Sequence, residues 1–253
     1  MFAYCNLAIV PLRAEASDRS EMVTQVLFGE HFTILEQTEK WSKIQLSYDK
    51  YEGWMDNKQY QLITEDDFNY LEHTSTLFAS DLVDFVSTEN NQLMSIPLGS
   101  CLNGLKRDSI NIDNFQYEGR SISGQFNKSL FLKTAFMYLN APYLWGGKTP
   151  FGIDCSGFTQ MVYRINGYNI PRDASQQATI GEALSFIEES EVGDLAFFDN
   201  SEGNIVHVGI IMENNYIIHA HGKVRIDRLD HLGIYNIDSG RHTHKLRVIK
   251  KIL

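Results

Sequence analysis

Cys155 stands in a setting where a thiol could act as a nucleophile. The hexapeptide GIDCSG places it between Asp154 and Ser156, directly before a run of residues with helical spacing. The first turn of a helix has unpaired backbone N–H groups and the positive end of the macrodipole, and both favour negative charge. We therefore expect this position to lower the thiol pKa below its free value of about 8.5 and to populate the reactive thiolate.

Two predicted strands carry histidines that could assist this thiol. A thiolate nucleophile needs a base and a group that orients the base. His207 interrupts the apolar run IVHVGII, where an imidazole is costly to bury unless it is hydrogen-bonded or used in chemistry. A hydrogen-bonded core histidine is the alternative interpretation. His219 and His221 follow in the next predicted strand, YIIHAH.

The length of the hairpin loop decides which of the two can orient His207. If residues 213–215 form a three-residue loop, His207 lies opposite His221 and diagonal to His219 on the same face. A two-residue loop instead puts His207 and His219 on opposite faces of the sheet. Periodicity alone therefore leaves His219 and His221 as competing candidates for the orienting role.

The segments around these residues predict an α+β domain. Two apolar runs have helical spacing: one aligns Leu132, Ala135, Phe136 and Leu139, and the other aligns Phe158, Met161, Val162 and Ile165. Five later segments have the pattern of strands, at residues 194–199, 205–213, 216–221, 223–229 and 245–253. Helices followed by a series of antiparallel strands are typical of α+β folds.

The first half of the chain has a different pattern. Residues 1–65 alternate short apolar runs with turn signals, which is typical of a small β-barrel or sandwich. Residues 66–126 contain a candidate short helix at DDFNYLEH and a second β-like stretch. We therefore predict a barrel at 1–65, a linker helix with a second small barrel at 66–126, and the α+β domain at 127–253.

The charge and hydropathy of the chain argue against two classes of partner. With 22 basic and 32 acidic residues, the molecule repels phosphate backbones and anionic lipid surfaces. No stretch approaches the ~20 consecutive apolar residues of a membrane span, and the first residues lack the basic start of a signal peptide. We therefore expect an intracellular, cytoplasmic protein that binds neither nucleic acid nor membranes.

The cysteine and histidine spacings do not predict a metal site. The three cysteines contain no C-x-x-C pair, which argues against a disulfide framework and a cysteine-based zinc site. His219 and His221 form one i, i+2 pair, and His242 and His244 form another, but no H-E-x-x-H motif accompanies them. We therefore expect neither a metal nor another cofactor.

Several motifs in order resemble the NlpC family of papain-like cell-wall cysteine peptidases. The resemblance covers residues 127–253 and rests on four segments, PYLWGGKTPFGIDCSGF, PRDASQQ, VGDLAFF and HVGIIMENNYIIHAHG. In the first half, YEGWMD and IPLGSCL are similar to segments of bacterial Src-homology-3-like domains. The resemblance implies a papain-like domain, with helices packed on an antiparallel sheet, preceded by one or two Src-homology-3-like barrels.

The resemblance also assigns roles to four residues. It implies that Cys155 is the nucleophile, that His207 is the general base and that His219 is the polar third member, since the family spacing favours His219 over His221. Tyr143, twelve residues before the cysteine, matches the family tyrosine whose hydroxyl donates to the developing oxyanion. A core aromatic is the alternative interpretation of this tyrosine.

The resemblance further implies a substrate. Family members hydrolyse the γ-D-glutamyl bond to meso-diaminopimelate or lysine in murein. The chain also resembles the subgroup that carries the sequence D-C-S and N-terminal barrels, whose substrates are free stem peptides beginning with L-Ala. Asp154 and Ser156 would bind the substrate ammonium, although both could equally cap the helix. Glu21, from the first barrel, is the candidate for a second acid of that pocket.

The resemblance implies that the segment PRDASQQ borders the substrate groove. Arg172, Asp173 and Ser175 lie in PRDASQQ, and turn or helix-cap roles are equally compatible with their sequence. We therefore predict a monomeric cysteine endopeptidase of murein recycling. The alternatives are an amidase or acyltransferase of the same fold acting on another amide or lipid, or a cell-wall-binding module.

Overall fold

A computed structural model of the chain describes residues 1–106, 115–123 and 128–252. The chain divides into two compact units, one formed by Met1–Gln125 with Gly167–Asn169 and the other by the remaining residues. The predicted boundary after residue 126, and the last residue of the predicted strand 245–253, lie outside the described residues. Among the described helices, none is both long enough and apolar enough to cross a membrane.

The first unit begins with a seven-stranded antiparallel sheet. Its strands are β1 (Phe2–Tyr4), β2 (Ile9–Arg13), β3 (Met22–Leu27), β4 (His31–Gln37), β5 (Trp41–Leu46), β6 (Glu52–Asp56) and β7 (Gln61–Ile63). Their order in the sheet is β3-β2-β6-β5-β4-β1-β7. Alternate residues of the strands, among them Val10, Leu12, Ile44 and Leu46, are fully buried in one core. This alternation is the period-2 pattern that indicated a barrel.

The described residues of the first unit also include an α-helix, four short strands and a 3-10 turn at Asn103–Lys106. The helix is α1 (Glu65–His73), and the strands are β8 (Leu77–Ala79), β9 (Val83–Ser87), β10 (Leu93–Pro97) and β11 (Ser121–Ser123). Thr64 caps α1, because its hydroxyl accepts a hydrogen bond from the backbone N–H of Asp67. Strands β9 and β10 pair with each other, and β8 pairs with β11. That residues 66–126 form a second Src-homology-3-like barrel stays a prediction.

The second unit contains three helices and nine strands among its described residues. The helices are α2 (Lys128–Met137), α3 (Cys155–Ile165) and α4 (Ala174–Gln177). The strands are β12 (Lys148–Thr149), β13 (Gly152–Ile153), β14 (Glu182–Leu184), β15 (Leu195–Asp199), β16 (Ile205–Met212), β17 (Tyr216–His221), β18 (Lys223–Asp230), β19 (Gly233–Asn236) and β20 (Arg241–Lys251). All five predicted strands are present, whereas α4, β12, β13, β14 and β19 were not predicted.

Seven strands of this unit, β14 to β20, form one antiparallel sheet. Its order is β14-β20-β15-β16-β17-β18-β19, and β19 also pairs with β20. Helix α3 packs against β16 and β17 of the sheet and against α2 on another side. All residues of α3 are buried as a result, including the predicted face of Phe158, Met161, Val162 and Ile165. The sheet therefore holds the start of α3 beside β16.

The apolar stripe that predicted α2 is only partly buried. Ala135 is buried but Phe136 is exposed, as is Leu139, which follows the helix, whereas Phe131 and Tyr138 are buried and pack edge-on against aromatic rings of α3. Thr134 also faces α3, where its hydroxyl accepts a hydrogen bond from the Asn166 side chain. Both faces of α2 carry large apolar side chains, so periodicity could not select the face that packs.

Candidate active site

Cys155 is the first residue of α3, and its thiol is buried beside β16. The side chain is 6% exposed. The backbone N–H groups of Val208, on β16, and of Ser156 lie near the sulfur and favour its ionised form. Val208 is the neighbour of His207 along the strand, so the packing of α3 on β16 brings the thiol to the strand that carries the predicted base.

The expected depression of the thiol pKa was wrong. Burial, followed by the nearby Asp154 carboxylate, raises the pKa of Cys155 to about 12. The N–H groups of Val208 and Ser156 and the charge of Arg172 act in the opposite direction but do not outweigh burial. The sequence correctly placed Cys155 at a helix start, but it could not show that this start lies inside the core.

The hairpin between β16 and β17 has the three-residue loop that brings the histidines to one face. Ile210 pairs with Ile218 and Met212 pairs with Tyr216, which leaves residues 213–215 in the turn. Continuing this register puts Gly209 opposite His219, and His207, two residues earlier on β16, opposite His221. A Cβ atom at Gly209 would lie 2.8 Å from the Cβ atom of His219. The absence of a side chain at Gly209 therefore allows the close approach of His219.

His219, and not His221, is hydrogen-bonded to His207. The Nε2 atom of His207 lies 2.8 Å from Nδ1 of His219, and the two rings are nearly perpendicular. The ring of His221 is 6.4 Å from that of His207, and this residue is exposed. Tertiary structure thus resolves the choice that periodicity left open.

Asp227, which the sequence analysis missed, lies behind His219. Its Oδ2 atom is 3.0 Å from Nε2 of His219, and the carboxylate is fully buried. Arg225 donates to both carboxylate oxygens. Burial opposes ionisation, but the hydrogen bonds from His219 and Arg225 outweigh it and hold the pKa of Asp227 well below its usual range. The signal in the sequence was an acidic residue inside the predicted strand KVRIDRL.

A fourth histidine contacts the ring of His207. His244, from β20, stacks on it with a distance of 4.2 Å between ring centroids. Burial, followed by the neighbouring imidazoles of His219 and His221, lowers the pKa of His244 to about 4. Burial also lowers the pKa of His207 well below its ordinary value. His207 and His244 are therefore neutral near pH 7.

The two i, i+2 histidine pairs do not converge on one metal-binding arrangement. His242 points to Asp230, with 2.9 Å between Nε2 and Oδ2, whereas His244 points to His207. Within the part of the chain that the structure describes, no group of three or more His, Cys, Asp or Glu side chains is arranged to hold a metal ion.

Asp154 and Arg172 form a buried ion pair at the start of α3. The guanidinium donates to both carboxylate oxygens, at 3.0 and 2.6 Å. The carboxylate also accepts from the backbone N–H groups of Gly146 and Gly157, at 2.8 and 2.6 Å, so Asp154 is the N-cap of α3. Arg172 is 1% exposed and also donates to the Ser156 hydroxyl. The structure thus shows the capping role, and the substrate-binding role of these side chains stays a prediction.

The rest of the PRDASQQ segment forms α4, and its last residue contacts the start of α3. Asp173 is the N-cap of α4, and Ser175 is exposed on that short helix. Gln177, which was not predicted, donates to the backbone carbonyl of Ser156 at 3.0 Å and accepts from the Thr159 hydroxyl at 2.7 Å. Contacts of Asp173 and Ser175 with substrate stay predictions.

Tyr143 lies close to Cys155 and retains its phenolic proton. Burial, followed by the charges of Cys155 and Asp154, raises the pKa of Tyr143 to about 12. The side chain is also 36% exposed, so it is accessible from solvent. Its backbone N–H donates to the carbonyl of Gly222, which ties the tyrosine to the end of β17. The hydroxyl can therefore donate a hydrogen bond to a bound group.

Glu21 belongs to the first unit. It is exposed and directly precedes β3. Its backbone carbonyl accepts a hydrogen bond from the backbone N–H of Ala14. The predicted contribution of its carboxylate to a substrate pocket stays a prediction.

Comparisons with known proteins agree with this arrangement. Residues 140–245 match the NlpC/P60 family, and residues 12–59 match the bacterial dipeptidyl-peptidase Sh3 domain. The chain is 31% identical over 216 residues to the gamma-D-glutamyl-L-lysine dipeptidyl-peptidase of Bacillus subtilis strain 168, and the match covers 78% of this chain and 71% of that protein. This chain belongs to the NlpC/P60 family. It is therefore a cysteine peptidase, as its motifs predict.

The relatives and a solved structure extend the match over the whole chain. The dipeptidyl-peptidase 6 of Lysinibacillus sphaericus is 26% identical over 246 residues, which cover 87% of this chain and 88% of the relative. The crystal structure of an NlpC/P60 family protein from Bacillus cereus ATCC 10987 has a TM-score of 0.80 at 20% identity and covers both chains completely. The predicted fold class, a papain-like α+β domain after a Src-homology-3-like barrel, is confirmed. The named relatives support a cell-wall endopeptidase.

Proposed function

We propose that this peptidase hydrolyses the γ-D-glutamyl bond to a diamino acid in free murein stem peptides that begin with L-Ala. The observation that carries the proposal is the hydrogen bond between His207 and His219. His207 lies on β16, the strand beside which the thiol of Cys155 is buried. The relative from Bacillus subtilis named as a gamma-D-glutamyl-L-lysine dipeptidyl-peptidase supports the bond that is cleaved. The reaction needs no cofactor, because a thiol, a base and an orienting group suffice for acyl transfer.

Acylation starts from a neutral pair. Burial favours the thiol form of Cys155 and the neutral imidazole of His207, so the thiol proton passes to His207 as the sulfur attacks the γ-carbonyl carbon. The carbonyl oxygen gains negative charge and accepts a hydrogen bond from the protonated Tyr143 hydroxyl. When the C–N bond breaks, His207 returns the proton to the α-amine of the leaving diamino acid. A thioester of L-Ala-γ-D-Glu with Cys155 remains.

Deacylation uses the same base. His207 takes a proton from water, and the oxygen attacks the thioester carbonyl. The C–S bond then breaks, and the sulfur of Cys155 receives the proton from His207. The products are the dipeptide L-Ala-D-Glu, with a free γ-carboxylate, and the regenerated thiol. His219 holds His207 in position throughout, in the way that a third residue orients the base of other acyl-transfer enzymes.

Recognition of the substrate ammonium requires an excess of negative charge. The guanidinium of Arg172 compensates the charge of Asp154, so this pair alone attracts a cation weakly. We therefore propose that the Ser156 hydroxyl and Asp154 contact the L-Ala ammonium, and that a further carboxylate, for which Glu21 is the candidate from the sequence, supplies the additional negative charge. A requirement for a free amino terminus restricts the enzyme to short released peptides. That restriction fits a role in murein recycling in the cytoplasm.

Peptide hydrolysis tests the proposal directly. L-Ala-γ-D-Glu-L-Lys and its meso-diaminopimelate analogue are incubated with the wild type, and the released diamino compounds are quantified by mass spectrometry. Each peptide is also supplied with an acetylated amino terminus. The wild type should cleave only the free peptides, and Cys155→Ser should cleave none. Equal cleavage of the acetylated peptides, or no cleavage by folded wild type, would overturn the proposal.

Intact murein sacculi separate this function from cell-wall binding. The proposed enzyme should neither bind sacculi tightly nor release peptides from them, because the stem peptides there are attached through their L-Ala amino group. Tight binding without cleavage of any free peptide would indicate a binding module instead.

A further inference from the structure

We propose that Asp227 fixes the tautomer of His207 through His219, and that it thereby acts as a positioning residue for the reaction of Cys155. Three side chains form a continuous series: Oδ2 of Asp227 lies 3.0 Å from Nε2 of His219, whose Nδ1 lies 2.8 Å from Nε2 of His207. All three side chains are buried. The inference rests on the proposed function only because it takes His207 as the base.

The donor and acceptor roles along this series follow from the carboxylate. An ionised carboxylate only accepts hydrogen bonds, so Nε2 of His219 must carry the proton. A neutral imidazole has one N–H group, so Nδ1 of His219 is an acceptor. Nε2 of His207 must therefore donate to it, and Nδ1 of a neutral His207 has no proton. That nitrogen is then the basic one, available for the proton of the Cys155 thiol.

The surroundings of Asp227 permit only an acceptor at this position. Arg225 donates to Oδ2 from Nε at 2.7 Å and to Oδ1 from Nη2 at 2.9 Å. The backbone N–H of Ile237 donates to Oδ1 at 3.0 Å, and the Asn236 side chain amide lies 3.4 Å from Oδ2. Donors thus face both oxygens. A protonated acid or an amide NH2 group would place a donor against donors on either side.

This assignment of donors and acceptors requires neutral imidazoles at His207 and His219, and their surroundings keep both neutral. Burial lowers the pKa of His207 and of His219, although the hydrogen bond to Asp227 partly opposes the shift of His219. The other imidazoles around His207 are those of His221 and His244. Each ring therefore carries one N–H proton near pH 7, and the carboxylate of Asp227 determines which nitrogen carries it.

Nitrogen NMR of the histidine rings tests the proposal without substrate. In the wild type labelled with 15N-histidine, His219 and His207 should both be Nε2–H tautomers at pH 7. In Asp227→Asn the NH2 group should face Nε2 of His219, because an imidazole can become an acceptor by changing its tautomer whereas the Arg225 guanidinium and the Ile237 N–H cannot, and this should convert both histidines to Nδ1–H tautomers. Detection of an Nδ1–H tautomer of His207 in the wild type would overturn the proposal, whatever the variant does.

Kinetics of the same variant give the functional readout. Asp227→Asn should lower kcat by roughly 10²- to 10⁴-fold with little change in KM, because the corresponding acid-to-amide change in a serine protease leaves the geometry intact but the tautomer wrong. Alkylation of the Cys155 thiol by iodoacetamide should slow in parallel, and this assay does not depend on the peptide substrate. A loss of activity with unchanged tautomers would show a merely structural role and overturn the proposal.

Asp238 provides the matched control. Its carboxylate also accepts from Arg225, at 3.0 Å, but its side chain is 75% exposed. Asp238→Asn removes a charge from the same arginine and leaves Asp227 in place, so tautomers and kcat should stay within twofold of the wild type. If the wild type cleaves no peptide, the proposed function fails, whereas the tautomer measurement still decides the role of Asp227.

Discussion

The imidazole of His244 stacks on that of His207, with 4.2 Å between ring centroids and 25° between the ring planes. The edge of His207 is held at the same time by the hydrogen bond to His219. One contact fixes the plane of the ring and the other fixes its rotation within that plane. The two strands that supply these contacts, β20 and β17, are not neighbours in the sheet.

Removing the stacked ring should therefore loosen the proposed base. His244→Ala should lower kcat/KM for L-Ala-γ-D-Glu-L-Lys by roughly 10- to 100-fold, because small misplacements of a reacting group are costly. His244→Phe keeps an aromatic ring and should stay within about threefold of the wild type. Equal losses in the two variants would show that the nitrogens of His244, and not its ring, are required.

Gly209→Ala should disturb the contact between His207 and His219, because Gly209 lies on β16 opposite His219. The added methyl group would lie 2.8 Å from Cβ of His219 and 2.8 Å from Cδ1 of Ile217, so β16 and β17 must separate. We expect a loss of about 1–3 kcal/mol in the free energy of unfolding and a roughly 10²-fold loss in kcat/KM. Urea denaturation and peptide hydrolysis measure the two effects.

Gly203→Ala controls for the substitution itself. Gly203 has a φ of +83° and no atom within 4 Å of an added Cβ, so it should cost about 1 kcal/mol of strain without moving the histidines. Normal activity in Gly209→Ala would contradict the need for close strand approach.

Arg172→Met should destabilise the protein strongly. The substitution leaves the carboxylate of Asp154 buried without its cation, which typically costs about 3–5 kcal/mol. Combining it with Asp154→Asn should recover part of this loss, because no unpaired charge then remains. Lys251→Met, which removes an exposed cation 3.9 Å from Glu191, should change stability little. Urea unfolding of all four proteins checks the prediction, and no recovery in the double variant would contradict it.

Alkylation of Cys155 should depend on pH as expected for a buried neutral thiol. Because the thiol pKa is raised to about 12, the thiolate fraction should increase about tenfold per pH unit from pH 7 to 10. The rate of inactivation by iodoacetamide, localised to Cys155 by mass spectrometry, should increase in the same way. A rate that is constant across this range would instead indicate a preformed thiolate–imidazolium pair.

Local sequence patterns were sufficient for the elements that carry the site. The helix after Asp154 and the strands containing His207 and His219 follow from periodicity, whereas the register of their hairpin depended on a loop length that the sequence left open. The face of α2 did not follow, because apolar residues occupy both sides of that helix. The strand β19 did not follow either, because it is only four residues long.

The site beyond the pair of histidines depended on contacts between residues far apart in sequence. Asp227 and His244 lie eight and 25 residues after His219, on other strands, and no spacing rule connects them to it. Likewise, the bond between Arg172 and Asp154 joins a loop to a helix cap. Such partners are selected by packing, which brings together side chains that local propensity treats separately.

The sequence by itself determined the family, the order of the elements and the nucleophile and base as candidates, because these depend on short motifs and on local periodicity. Only the tertiary structure decided the protonation chemistry. Burial of Cys155 raises its pKa where a helix start alone would lower it, and burial of the histidines keeps them neutral. The desolvation that sets these charges arises only when α3 packs on the sheet.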